Sequence, residues 1–279
     1  MPVAGLSLLG FMPQELARNH LLNQCVPRST DPAVLDAEWA AARARLGAPI
    51  ENAANPDMRP LPAGAEEHIR QLTVAPWCAA AFAGRLRGCQ FMLVELEPLV
   101  VHQFTITTER ALRYRNVLAQ PPPLQQLLDL CLPIAQPKVN FRTFDSPNAM
   151  LLKSDSLELR IFNGGMFPGL VLGAQFGVSL PFMQVARHDR RCYLQNGIHR
   201  AVGLRSMGLT HAPCIVKDVA KADELGIKTD AGTFELPLLQ SAKPPTVAHF
   251  TRGRAHEVQL RRVARLLQVS WAEYVVPEE

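Results

Sequence analysis

The residues best suited to chemistry stand together in Asn196-Gly197-Ile198-His199-Arg200. An Asn-Gly pair makes a tight turn, because glycine reaches backbone conformations that side chains disfavour. His199 and Arg200 then fall in the first turn of the helix that follows. The first N–H groups of a helix have no internal partner, and its dipole favours negative charge at that end. This is a physical recipe for an anion site. Gly197 would let a ligand approach the backbone, and Arg200 would supply a forked, permanent positive charge. His199 could donate to a phosphate or act as an acid/base group, since imidazole titrates near neutrality. Asn196, Gly197, Ile198, His199 and Arg200 are therefore the candidate binding residues, and His199 the candidate catalytic one.

The flanks must position that turn. Leu180 to Leu194 reads as two short strands around a polar turn. Val202 to Val216 reads as one short helix stopped by Gly208, then a strand. Tyr193–Gln195 is expected to end a strand, with the helix beginning within two residues of His199.

With its flanks, the segment resembles the ParB/sulfiredoxin superfamily over roughly residues 176–219. The superfamily block of strand, G-x-[HR]-R, helix and G-L-x-x-[VI]-P-x-x-[VI] is matched by Gly197-Ile-His-Arg200, Gly208-Leu209 and Ala212-Pro-Cys-Ile-Val216. The resemblance implies a nucleoside-triphosphate site, ATP in sulfiredoxin-like members and CTP in ParB-like ones, with Mg²⁺ beside the phosphates. It also implies the fold class: α+β, a small mixed sheet of ParB/sulfiredoxin type. Two positions depart from the pattern. Ile198 stands where sulfiredoxin has its reactive cysteine, so no sulfinic-acid repair is expected. Asn196 replaces the acid of the D-G-Q-H-R branch found in DNA-modification systems.

Other residues offer less definite chemistry. Thr108, Glu109, Arg110, Arg113 and Arg115 lie in a helical stretch, Thr108 to Leu118, whose basic face could meet phosphate or simply be solvated. Arg252, Arg254, Arg261, Arg262 and Arg265 form the densest basic segment, able to touch a nucleic-acid backbone. Arg205, five residues after Arg200, reads as a surface residue. Asp145, Asp155 and Asp189 are loop acids that could hold Mg²⁺, and nothing local selects one. The six cysteines, Cys25, Cys78, Cys89, Cys131, Cys192 and Cys214, form no C-x-x-C pair, so buried reduced thiols are expected and neither a metal site nor a disulfide framework. The common P-loop, nucleophile-elbow and dinucleotide motifs are absent.

Composition sets the frame. With 279 residues, 48% hydrophobic and 19% charged, the chain can bury a full core. A net charge of +4 permits nucleotide or DNA partners without demanding them. The N-terminus lacks the basic start of a signal peptide, and a cytoplasmic protein is expected. Residues 161–186 carry no formal charge, but five glycines and two prolines favour buried strands over a membrane helix.

Residues 1–88 read as an N-terminal helical region, with helices after Met12, from Ala33 to Leu46, from Glu66 to Leu72 and from Pro76 to Leu86. Ser29-Thr-Asp-Pro32 starts the second of these, which should bury Val34, Leu35, Trp39 and Leu46. Residues 48–64 read as a long loop. Residues 89–279 read as the ParB/sulfiredoxin-like domain. Its strands are placed at Gln90–Leu96, Leu99–Ile106, Val139–Phe144, Ala149–Lys153 and Leu157–Phe162, with a short helix from Leu124 to Leu132. Ser154-Asp155-Ser156 signals a hairpin between the last two strands. The tail admits a helix over Val258–Leu267 and favours a strand over Gln268–Val276. The leading function is nucleoside-triphosphate binding, with hydrolysis or phosphoryl transfer as the turnover such a site could support. Its rivals are a DNA-acting protein of a bacterial modification or defence system and a degenerate member serving as an interaction module for a protein partner.

Overall fold

The structure is a computed structural model that describes residues 1–47, 55–138, 140–146, 148–154, 159–167, 171–227 and 232–272. The fold is mixed α+β and divides into two compact units. Unit 1 comprises Met1–Ile134 and Phe182–Arg261, and unit 2 comprises Ala135–Pro181 and Arg262–Glu279. The division does not fall at residue 88: residues 1–88 belong to the same unit as the Asn-Gly turn.

Unit 1 opens with β1 (Val3–Ser7), α1 (Gln14–Asn23) and α2 (Pro32–Ala44). The strand is unexpected from sequence, because Val-Ala-Gly-Leu-Ser lacks an alternation of large apolar residues. Pairing creates it: β1 lies between β13 (His256–Leu260) and β5 (Thr105–Thr107) in a three-stranded sheet. Asp31 caps α2 as expected, its Oδ1 accepting the Ala33 N–H at 2.9 Å, a contact worth about 1 kcal/mol. Leu35 is buried, whereas Val34 is 41% exposed, correcting its assignment to the core.

After β2 (Met58–Pro60), a strand inside the expected loop, come α3 (Glu66–Val74) and α4 (Ala79–Ala83). β3 (Gln90–Glu95) follows the sequence reading. The apolar run from Leu99 does not make one strand. It breaks into β4 (Val100–Val101) and β5, which join different sheets. Next stand α5 (Thr108–Leu112), continued by a 3₁₀ turn over Arg113–Asn116, and α6 (Leu124–Cys131). Unit 1 resumes with β10 (Gln184–His188), β11 (Arg191–Asn196), α7 (Ile198–Ser206), β12 (His211–Asp218) and α8 (Leu236–Leu239), and closes with β13. The central sheet has the order β2-β3-β12-β10-β11-β4, with β10–β12 and β11–β4 parallel and the other pairs antiparallel. Its core includes Val94, Leu96, Phe182, Val185, Leu194, Cys214 and Ile215.

The regular elements of unit 2 among the described residues are strands. β6 (Arg142–Ser146), β7 (Ala149–Ser154) and β14 (Arg265–Ser270) form one sheet in the order β14-β7-β6, and β8 (Leu159–Phe167) pairs with β9 (Val171–Val178). β7 therefore pairs with β6 and β14 rather than with β8, which corrects the expected hairpin across Ser154. The connecting residues 155–158 lie outside the described ones, as does the end of the expected strand to Val276. Of the uncharged stretch 161–186, the residues from Ile161 to Phe167 and from Val171 to Val178 lie in the paired strands β8 and β9, and Gln184 to Ala186 in β10. Among the described residues no helix is long and apolar enough to cross a membrane.

Candidate functional site

The strand–turn–helix–strand order around Asn196 is present. β11 ends at Asn196, Gly197 takes φ +104° and ψ 18°, α7 begins at Ile198, and Gly208 at φ +85° follows its end. The hairpin before it turns through Asp189 (φ 47°) and Arg190 (φ 63°), both left-handed. Such a two-residue turn matches the twist of its strands.

Gly197 is required for a different reason than ligand access. A Cβ there would stand 2.7 Å from Met183 Cγ, so the missing side chain makes room for Met183 while the backbone takes a left-handed conformation. Ile198 is buried, leaving only its backbone to the site. The N-cap residue of α7, Gly197, has no side chain with which to cap the first turn. Asn196 closes β11, opposite Gln184.

His199 is not an acid/base group near neutrality. Its Nε2 accepts the Thr107 backbone N–H at 3.1 Å, which places the ring proton on Nδ1. Burial, then the charges of Arg110, Arg113 and Arg200, push its pKa down to about 3. With Nε2 occupied, the proton on Nδ1 is the one the neutral ring can donate, and a pKa this low speaks against the expected acid/base role near neutrality. Arg200 also serves the fold. Its Nη1 donates to the Leu130 carbonyl at 3.0 Å, capping the C-terminus of α6, where the helix dipole favours a cation. Burial lowers the Arg200 pKa.

α7 runs beside α5, and the contact is regular. On α7, His199 meets Thr107, Gly203 meets Ala111 and Tyr114, and Ser206 meets Arg115, whose Nη2 donates to the Ser206 carbonyl at 2.6 Å. These α7 positions follow i, i+4, i+7 spacing and form one face of the helix. The two segments are parallel, so both begin at the same end. Gly203 permits the approach: a Cβ would collide with the Ala111 carbonyl and stand 2.7 Å from the Tyr114 ring. Arg110 lies one turn after Thr107, on the side that His199 touches. Arg113 stacks 4.9 Å from the Tyr114 ring centroid and donates to its hydroxyl at 3.0 Å. The start of this segment is thus brought to His199 beside the Asn-Gly turn, and Arg115 to the other end of α7, which sequence spacing could not show. One signal was available: a glycine inside a helix costs about 1 kcal/mol and usually marks a packing need.

Other candidates are dispersed. Asp189 lies at the far end of the β10–β11 hairpin, about 20 Å along the strand from Asn196 by the rise per residue. It pairs with His188 at 3.3 Å and cannot serve a metal at the turn. Asp145 is in unit 2, and Asp155 lies outside the described residues. Among the described residues no group of three or more His, Cys, Asp or Glu could hold a metal ion. Arg205 is bound to Glu97 at 2.5 Å, half-buried rather than free on the surface. The basic tail is no helix: Arg252 pairs with Glu257, Arg261 donates to the Cys25 carbonyl, and Arg262 and Arg265 belong to unit 2. All six cysteines are free. Cys192, inside β11, is pushed up to about 12 by burial, so its thiol is inert.

No known family model, curated protein or solved structure matches this chain.

Proposed function

We propose that this chain is a nucleoside-triphosphate-binding protein of ParB/sulfiredoxin-like type, with the phosphates at the Asn196–Arg200 turn. One observation carries the reading: a nine-residue helix starts directly after a left-handed glycine, with His199 Nδ1–H and the partly engaged Arg200 guanidinium in its first turn. The order of strand, turn, helix and Pro-bearing strand also follows the superfamily block.

The chain's own residues give binding and orientation. The α7 amides and His199 would donate to phosphate oxygens, and Arg200 would offer its remaining N–H groups while staying fixed to α6. Mg²⁺ would reach this site on the triphosphate, because Asp189, at the far end of the β10–β11 hairpin, is too distant from the turn to hold it. A neutral histidine with a pKa of about 3 cannot shuttle protons near neutrality, so the reading is binding ahead of turnover.

A thermal-shift series with the four nucleoside triphosphates, with and without Mg²⁺, tests it. A ligand at about 100 times its Kd adds about 2.7 kcal/mol to stability. Absence of any shift at millimolar concentration, with duplex DNA binding that falls steeply with salt, would replace this reading by the DNA-acting one.

A further inference from the structure

We infer that a cavity bounded by β1, β13, the segment from Leu21 to Arg28 and α2 binds a small apolar amino acid, with its ammonium on Glu38 inside and its carboxylate on Arg28 at the mouth. The site is separate from the Asn196–Arg200 turn: of its lining, only Thr108 adjoins a residue that touches His199.

The pairing of β1 with β13 builds the cavity. Ser7 stands opposite His256, and both are buried, Ser7 against His20 of α1 and His256 against Glu38 of α2. The inner wall is apolar, lined by buried Leu21, Leu35 and Val258. Cys25 lines it too, and burial pushes its thiol up to about 11, so it stays protonated and adds no charge. Against this wall stands the Glu38 carboxylate, on a side chain only 18% exposed.

A chain of donors fixes that carboxylate. Arg45 Nε donates to the Ala41 carbonyl at 3.2 Å, and Arg45 Nη2 donates to His256 Nδ1 at 3.0 Å. The ring proton is thereby on Nε2, which lies 3.3 Å from Glu38 Oε2. Burial keeps the His256 pKa below its ordinary value, which holds the ring neutral. Among the described residues Glu38 has no other hydrogen bond or ion pair, so its Oε1 is unused. A carboxylate oxygen beside an apolar wall has lost part of its hydration, and a cationic N–H donor on a ligand would replace it.

The mouth carries the opposite charge. Arg28 is exposed there and makes no hydrogen bond or ion pair among the described residues, whereas Arg252, also in the lining, is paired with Glu257 at 3.5 Å. An unused carboxylate oxygen inside, an unpaired guanidinium outside and apolar surface between them match a molecule that carries both charges on an apolar body. An amine alone would add positive charge near Arg28 without using it, and an acid alone would leave Glu38 unmatched. Volume sets the size. The cavity holds about 170 Å³, room for roughly six waters at about 30 Å³ each. That suits valine or leucine and excludes a nucleotide.

Calorimetric titration of the full chain with L-leucine, L-valine, isopentylamine and isocaproate tests the inference. The last two keep the apolar body and one charge each. Leucine or valine should bind with a millimolar Kd or tighter, and each single-charge analogue at least tenfold more weakly. Glu38→Gln should lose at least tenfold in amino-acid affinity, and Arg28→Gln at least fivefold. If Glu38→Gln melts well below the wild type, Arg28→Gln carries the comparison, because its side chain is exposed and unpaired. Binding of neither amino acid at ten millimolar would overturn the inference. So would an amine or acid bound as tightly as leucine, or an Arg28→Gln variant that binds leucine like the wild type. Nucleoside-triphosphate binding tests the Asn196–Arg200 reading alone, so failure of either reading leaves the other standing.

Discussion

Buried His20 and half-buried His199 have similarly depressed pKa values, with desolvation the main cause in both and a different second cause in each. His20 lies beneath the β13-β1-β5 sheet, with Nε2 3.1 Å from Ser7 Oγ, 3.2 Å from Thr105 Oγ1 and 3.7 Å from Cys25 Sγ. Burial pushes it down to about 4, and the neighbouring Cys25 thiol up to about 11. His199 reaches about 3 through burial and through the charges of Arg110, Arg113 and Arg200. An added anion could neutralise the second cause and would leave the first untouched. Burial alone marks a structural histidine. Burial within the field of cations marks a place where a ligand would change the electrostatics.

The comparison can be broken most forcefully at Gly203. Gly203→Val puts side-chain atoms against the Ala111 carbonyl and the Tyr114 ring, and a backbone obstacle cannot rotate away. We expect a loss of about 3 kcal/mol or more, at or beyond the upper end for overpacking, read as a lowered Tm together with lost anion binding. A variant that melts like the wild type would show that α5 and α7 are not closely packed.

Acid should act on both histidines with the same sign. Their folded pKa values lie below the unfolded value of 6.5, so each contributes stability that is fully present above pH 6.5 and is lost as pH falls toward about 4 for His20 and about 3 for His199. The loss by pH 4 is on the order of 3 kcal/mol per histidine. Urea unfolding between pH 8 and 4 measures it, and either His20→Asn or His199→Gln should flatten the profile. A profile that is flat in the wild type would remove the burial argument from both sites.

The next effect separates the sites. Arg200→Ala should weaken triphosphate binding by about 1.5–3 kcal/mol, the range for hydrogen bonds to charged groups. It should also lower stability by about 1 kcal/mol through the lost cation at the C-terminus of α6. Titration after a check of the melting temperature distinguishes the two. Unchanged affinity would make Arg200 solely a brace for α6.

The smallest and sharpest expectation concerns the rings themselves. Saturating tripolyphosphate should raise the His199 pKa by at least one unit, about 1.4 kcal/mol of linkage, while His20 stays where it is. Imidazole nitrogen resonances followed across pH give both values in one sample. Equal movement of the two would mean a global change rather than an anion at the Asn196–Arg200 turn.

Local signals made the hairpin, the Asn-Gly turn, α7 and β12 legible from sequence, because each is punctuated by its own glycine or polar turn. The α2 start at Asp31-Pro32 was legible for the same reason. β1 was not, since a strand of small residues exists only by pairing with Thr105–Thr107 on one side and His256–Leu260 on the other. Nor were the units, because a chain that leaves at Ile134 and returns at Phe182 shows no composition break at either point.

By itself, the sequence determined that a helix begins after an Asn-Gly turn with His199 and Arg200 in its first turn, and that Ile198 offers no nucleophile. Those are properties of neighbours in the chain, set by backbone sterics and residue type. Tertiary structure alone decided what the side chains meet. It spent one arm of Arg200 on α6 and turned the His199 Nε2 toward Thr107, 92 residues away in the chain. Charge and hydrogen bonding act through distance in space, and spacing along the chain does not specify that distance.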